Sequence, residues 1–396
     1  MNSGQYETLE RLIAFDTVSV NSDVPAMEYL ADLLENAGFH VAMQRLRIAG
    51  VAQANLVAWA GEPRPGGLII SGHLDTVPAA GQPGWTRDPF RMELDGDRIH
   101  GRGASDMKGF LAQCVEAARA IDRARLKRPL VFIFTADEEV GMLGAQRVAP
   151  ELPKLLGAAP RPDLAWIGEP TSFAVLNAHK SICAFEIRVR GRGGHSGAPE
   201  IGVNAIAVMG KAIEAIGRLQ AERRAARDEE FAALFPESPH DVMNFGIISG
   251  GLATNIIAEE CSLKVTYRSL PNRDPLELYR EIERRLGGVD PHDYASENHR
   301  ATIELGRPVF APAMRAAAGS ALERTLFAAT GARAARGAPF ATDGAWFAEA
   351  GITTLICGPG DYAQAHQPNE SMARAAFERG TGMMLNVIEQ MCAVSG

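Results

Sequence analysis

Short apolar runs closed by polar residues alternate with longer segments whose apolar positions recur every three or four residues, from Gln5 to about Asp163. VPAMEYLADLLENAGF has the helical period, whereas GGLIISGH and PLVFIFTAD are continuous apolar runs of strand length. Continuous runs predict strands buried on both faces, so this part reads as α/β with a mixed, largely parallel sheet flanked by helices. LAWIGEP and TTLICGPG continue the pattern, the second near the end of the chain. Between them the pattern changes. CAFEIRVRGR and CSLKVTYRSLP alternate like strands with one wet face, GVNAIAVMGKAIEAIGRL is an amphipathic helix, and DPLELYREIERRLGG is a second helix with a glycine stop. With the strand-like ATIELG, this predicts a ferredoxin-like α+β domain at 178–308 inserted into a larger domain made of 1–177 and 309–396. LQAERRAARDEE reads as a solvated helix face, and His292 and His299 as residues of a surface loop without assigned function.

A chain of 396 residues exceeds the size at which one core stops growing, which agrees with two domains. A net charge of −8 argues against a nucleic-acid groove or an anionic membrane surface and favours small molecules as partners. Cys114, Cys183, Cys261, Cys357 and Cys392 are scattered and odd in number, as expected of buried thiols in a reducing cytoplasm. MNSGQYETLERLIAF lacks the basic and apolar regions of a signal peptide, and no apolar stretch is long enough to span a bilayer.

Open α/β sheets bind ligands at the carboxyl ends of their strands. Chemistry-bearing residues follow each apolar run: His73 and Asp75 after GLIISG, Glu138 and Glu139 after LVFIFTAD, Glu169 after LAWIG, and His366 beyond TTLICGPG. Asp106 opens a helical segment after HGRGAS. Each alone has an ordinary reading as a core histidine, helix cap or loop residue. Together, carboxylates at one sheet edge repel unless a cation holds them. Two histidines and three carboxylates without a thiolate suit Zn²⁺, with Co²⁺ or Mn²⁺ as substitutes. Five ligands exceed what one open catalytic zinc uses and fit two ions sharing a carboxylate.

SGHLDTVP, GRGASDMKGF, ADEEVG, IGEPT, HKS and GRGGHSG, in this order, resemble the dinuclear zinc aminoacylase and glutamate carboxypeptidase family over nearly the whole chain. WTRDPF at 85–90, GEPTS, AHK and CGPGDYAQAHQPNE place the resemblance in its acetylornithine deacetylase/succinyl-diaminopimelate desuccinylase branch. The resemblance implies a zinc-exopeptidase-like fold in which His73, Asp106 and Glu169 hold one ion and Asp106, Glu139 and His366 the other. It implies a cis peptide after Asp106, Asp75 as the carboxylate orienting His73, and Glu138 as the general base. It further implies that His195 completes the site of a second subunit in a homodimer paired through the inserted domain. Asn255 and Arg268 would bind substrate, with the amides of Gly358 and Gly360 as added donors. The implied reaction removes the acetyl group from Nα-acetyl-L-ornithine, as in arginine biosynthesis. A desuccinylase, a broader N-acyl-amino-acid deacylase and a dipeptidase share the same residues, and TDG within ATDGAWF at 341–347 resembles the desuccinylase side. A non-catalytic binding module on this fold would have no need of a base beside the ligands.

Overall fold

Leu68–His73 and Leu130–Thr135 are buried at every residue, so neither shows a polar face in the sequence. In the computed structural model, which describes residues 3–296 and 298–393, these two strands pair in parallel. They lie within a nine-stranded sheet. Leu164–Ile167 adds to the other edge of Leu68–His73, and Thr353–Ile356 adds to Leu164–Ile167, both in parallel. Antiparallel strands extend this parallel centre on both sides: Val51–Ala60 and His40–Ile48 beyond Leu130–Thr135, and Leu176–His179 beyond Thr353–Ile356. The carboxyl ends of the four parallel strands therefore share one edge of the sheet.

Helix Lys108–Ala120 is buried from Lys108 to Ala118, and its Phe110 meets Trp166 edge-on at 5.6 Å. Side chains such as Phe132, Phe134 and Phe377 are fully enclosed. Each contributes about 1.5–3 kcal/mol by leaving water. All five cysteines are free and buried, and burial pushes the thiols of Cys357 and Cys392 up to about 12, which leaves them poor nucleophiles at neutral pH. Among the described residues, no helix is long and apolar enough to cross a membrane.

The chain divides into two units. One comprises the chain up to Ala178 with Met314–Gly337 and Thr342 onward; the other is His179–Ala313 with Ala338–Ala341. The second unit thus runs past the 308 boundary expected from the sequence and takes in a short later segment. Its elements follow the order strand Ile182–Arg190, helix Ala205–Ala225, strands Val242–Gly250 and Glu260–Arg268, helix Glu277–Gly287 and strand Thr302–Leu305. Ile182–Arg190 pairs antiparallel with both Glu260–Arg268 and Thr302–Leu305, and Val242–Gly250 forms an edge beside Glu260–Arg268. This is the ferredoxin-like strand order. Its core is made by the inward positions of Ile182–Arg190 and Glu260–Arg268 packed against Val208, Ala212, Ile216, Leu278 and Ile282.

Candidate active site

Each parallel strand delivers its polar residues just past its last buried position. His73 ends its strand with 1 % of its side chain exposed, and its Nε2 lies 3.1 Å from Asp106 Oδ1 and 3.8 Å from Glu169 Oε2. The other Asp106 oxygen, Oδ2, faces His366 Nε2 at 3.5 Å, and that nitrogen is 3.0 Å from Glu139 Oε2. One carboxylate thus addresses two imidazoles, each with a further carboxylate beside it. The Asp106–Met107 peptide is cis, and His366 has a φ of +61°.

Asp75 lies beside His73 and also holds the neighbouring glutamates. His73 Nδ1 sits 3.0 Å from the Asp75 backbone oxygen, while the nearest carboxylate oxygen is 3.7 Å away. The carboxylate accepts the N–H of Glu138 at 2.9 Å, the N–H of Glu139 at 3.1 Å and the Ser19 hydroxyl at 2.8 Å. It fixes the Glu138-Glu139 pair through the backbone, which leaves both glutamate side chains free for chemistry.

Burial works to lower the His73 pKa, but the hydrogen bond to Asp106 and the charges of Glu169 and Glu138 hold it well above its ordinary value. Burial, then the Glu169 charge, raises the Glu138 carboxyl well above the usual range, and burial raises Glu139 and Glu169. Such a crowd of buried acids is what a cation stabilises. The residues present fit divalent ions. Glu169 Oε1 is buried with no hydrogen-bond partner, and His73, Asp106 and Glu139 offer ligand atoms within 4.8 Å of one another. Two donors on one tetrahedral zinc, each about 2.0–2.1 Å from it, lie about 3.3 Å apart. The observed separations of 3.0 to 3.8 Å bracket that spacing.

Asp343 and Glu370 lie in the TDG and CGPGDYAQAHQPNE motifs, where the sequence assigns neither a role. Asp343 is buried, accepts a hydrogen bond from the Thr135 hydroxyl through Oδ2, and leaves Oδ1 without a partner. Burial raises its carboxyl to about 7, and its charge acts on Glu138 and Glu169. Glu370, four positions beyond His366, is enclosed next to Asp106. The Gly358 amide is already committed to Thr171 Oγ1 at 3.0 Å, so it is no free donor for a ligand. Glycine is needed at 358 and 360 because a Cβ would strike Gly168 O at 2.1 Å and Ser105 O at 2.2 Å, respectively.

His195, Asn255 and Arg268 belong to the second unit. His195 is exposed, its Nδ1 accepts the Gly197 N–H at 3.0 Å, and the Ser196 N–H donates to the Asn255 backbone carbonyl oxygen at 3.1 Å. The loops carrying His195 and Asn255 are thereby joined. Arg268 ends the strand Glu260–Arg268, and its charge acts on His179.

His179 itself is fully buried, with Nδ1 2.8 Å from the Lys180 carbonyl oxygen and Nε2 lacking a partner. Burial outweighs the Lys180 hydrogen bond and lowers its pKa to about 4 from 6.5. Between those values the unfolded chain binds a proton that the folded chain refuses, so stability falls as pH drops through this window. The full loss is about 3 kcal/mol. His179→Gln should show a shallower fall in denaturant midpoint between pH 7 and pH 4, and equal slopes in variant and parent would refute the assignment.

The comparisons with known proteins agree with this geometry. Residues 69–390 match the model of peptidase family M20/M25/M40. The chain is 35 % identical to the acetylornithine deacetylase of Proteus mirabilis over 98 % of its own length and 96 % of that protein's. It is 33 % identical to the acetylornithine deacetylase of Myxococcus xanthus, with 97 % of each covered. Its fold matches an M20 family metallo-carboxypeptidase from Sulfolobus solfataricus with a TM-score of 0.77 at 18 % identity, over 98 % of both chains. A dinuclear metal-binding M20 peptidase from Bacillus subtilis matches with a TM-score of 0.63 at 16 % identity, over 98 % of this chain and 97 % of that one. With the ligand cluster at the sheet edge and this match over most of its length, the chain belongs to peptidase family M20/M25/M40 and is a metal-dependent amide hydrolase.

Proposed function

We propose that the protein hydrolyses Nα-acetyl-L-ornithine to ornithine and acetate, using two Zn²⁺ ions for which Co²⁺ or Mn²⁺ can substitute. The observation that carries this reading is the Asp106 carboxylate divided between His73 and His366, with Glu138 anchored beside it by Asp75. The substrate is supported by the two full-length relatives named acetylornithine deacetylase. His73, Asp106 and Glu169 would hold one ion, and Asp106, Glu139 and His366 the other. When bound, the ions supply Lewis-acid polarisation of the scissile carbonyl and of water. Glu138 takes the proton of the attacking water and returns it to the departing amine. Its environment, buried and already crowded by Glu169, gives the carboxylate the proton affinity that this exchange needs. Arg268 would pair with the substrate carboxylate, for which a planar guanidinium is suited, and Asn255 and the Gly360 amide would add polar contacts.

A desuccinylase, whose side Thr342-Asp343-Gly344 resembles, is the alternative reading. These residues are buried, and Asp343 is tied to Thr135, so they shape the fold beneath the site. A panel of N-acetyl and N-succinyl amino acids and dipeptides, assayed with metal-reconstituted protein, should give the highest kcat/KM for Nα-acetylornithine. A succinylated substrate or a dipeptide turned over with the higher constant would overturn the assignment.

The reading includes a homodimer through the second unit, with His195 serving the partner's site, in the cytoplasm. Val242–Gly250 supports it: this edge strand exposes Ile247 and Ile248, and Leu252 just beyond it is 94 % exposed. Sedimentation at micromolar concentration should give twice the chain mass, and a monomer would refute the dimer. Five unpaired, buried cysteines accord with a reducing compartment.

A further inference from the structure

The segment that presents Asp106, Gly101 to Met107, has no helix or strand to hold it. Its backbone amides converge on one side chain. Glu370 Oε1 accepts the N–H groups of Ser105 at 2.9 Å and Asp106 at 3.0 Å, and Oε2 accepts the N–H of Gly103 at 3.0 Å. Oε2 also accepts Arg102 Nη1 at 3.0 Å, and the two side chains of this ion pair are each 1 % exposed. The Glu370 backbone oxygen takes the Gly101 N–H at 3.1 Å. Arg102 extends the connection. Its Nη2 donates to Gln82 Oε1 at 2.7 Å, Gln82 Nε2 donates to the His366 carbonyl oxygen at 2.6 Å, and the guanidinium lies 5.0 Å over the Trp85 ring.

Four acceptor contacts at one enclosed carboxylate are more than a loop needs for solubility or shape, and their placement is specific. They act on the backbone of the residue whose side chain faces both imidazoles, and the pair reaches the loop that carries His366. A carboxylate this close to Asp106 would add repulsion, and Arg102 neutralises it in place. Because the Asp106 N–H is bound by Glu370, the orientation of the Asp106 backbone is set from outside the ligand cluster. Neither oxygen of its side chain is spent on its own loop.

We infer that Glu370 and Arg102 are positioning residues that preform the carboxylate bridge between the two metal sites, tying the Asp106 loop to the His366 loop before any ion binds. This rests on the dinuclear reading given above. Neither residue touches substrate or ion; they act through Asp106 and His366.

The test measures divalent-ion affinity by chelator competition on folded protein, independently of turnover. Glu370→Gln keeps the size of the side chain and an acceptor for two amides but turns an NH₂ toward the Gly103 N–H and Arg102. It should weaken binding of at least one ion by about tenfold or more, the size found when groups supporting metal ligands are removed. Arg102→Lys, which keeps the charge but loses the two-pronged contact, should weaken binding in the same direction. Val387→Ala, a truncation in the core of helix Arg374–Ile388, lowers apo-protein stability without touching either loop and should leave affinity unchanged. Wild-type affinity in Glu370→Gln, or a loss no larger than that of Val387→Ala, overturns the inference while the dinuclear reading stands. Should Glu370→Gln fail to fold, Arg102→Lys decides alone, and unchanged affinity there overturns it. Parent protein that binds no divalent ion overturns both the dinuclear reading and this inference.

Discussion

Glu138→Gln should retain its metal ions and lose at least about a hundredfold in kcat, the scale of a general base. The substitution is nearly isosteric, and the hydrogen bond that fixes residue 138 is made by its backbone N–H to Asp75 Oδ1, so the loop should keep its shape. An amide cannot take up a proton from water, and so the loss should appear in kcat with KM little changed. Metal content distinguishes the two neighbouring glutamates. Glu139 is the one whose oxygens lie 3.0 and 3.1 Å from His366, so Glu139→Gln should lose an ion where Glu138→Gln does not. Loss of an ion from Glu138→Gln would mean that the roles are reversed.

Removing the ions should abolish nearly all activity, and adding back Zn²⁺, Co²⁺ or Mn²⁺ should restore it. Without a cation, Glu138, Glu139 and Glu169 are buried acids whose carboxyls burial and mutual repulsion push upward, and the polarising charge that amide hydrolysis needs is missing. The thermal midpoint should fall as well, because an ion at a hundred times its Kd stabilises the folded chain by about 2.7 kcal/mol. Full activity in excess strong chelator would exclude the mechanism.

The parts of the site that can be read from the sequence are those whose signal is local. Leu68–His73 and Leu130–Thr135 stand out as unbroken apolar runs because both faces are covered, and the polar residues that follow them mark the sheet edge. Glu370 closes the motif CGPGDYAQAHQPNE, but no local pattern marks what its side chain holds. Its importance comes from three backbone N–H groups, which every loop possesses, and from an arginine 268 residues away in sequence. Asp343 is similar: in the sequence it opens the short helix Gly344–Glu349, and only the fold brings it beneath Glu138 and Glu169. Val242–Gly250 has a bulge between Phe245 and Ile247 and exposed residues on both faces, so its alternation is broken where a period of two would have revealed it. Asp75 shows a different limit. Its spacing from His73 marks it as a partner, but whether the carboxylate or the carbonyl faces the ring is decided by the path of the chain.

The strand Thr353–Ile356 enters the sheet between Leu164–Ile167 and Leu176–His179, although nearly two hundred residues separate it from them. A chain emerging from the ribosome must therefore keep open a slot that a much later strand will fill, with one edge of Leu164–Ile167 unpaired until Thr353–Ile356 has been made. Such an edge invites pairing with other chains, so nascent protein is most prone to aggregate in this interval. His366 follows that strand, which means that the second imidazole arrives only when the sheet closes. Catalytic competence is thus acquired only once His366 has been made, and a chain stalled before Thr353 has neither a closed sheet nor a complete ligand set.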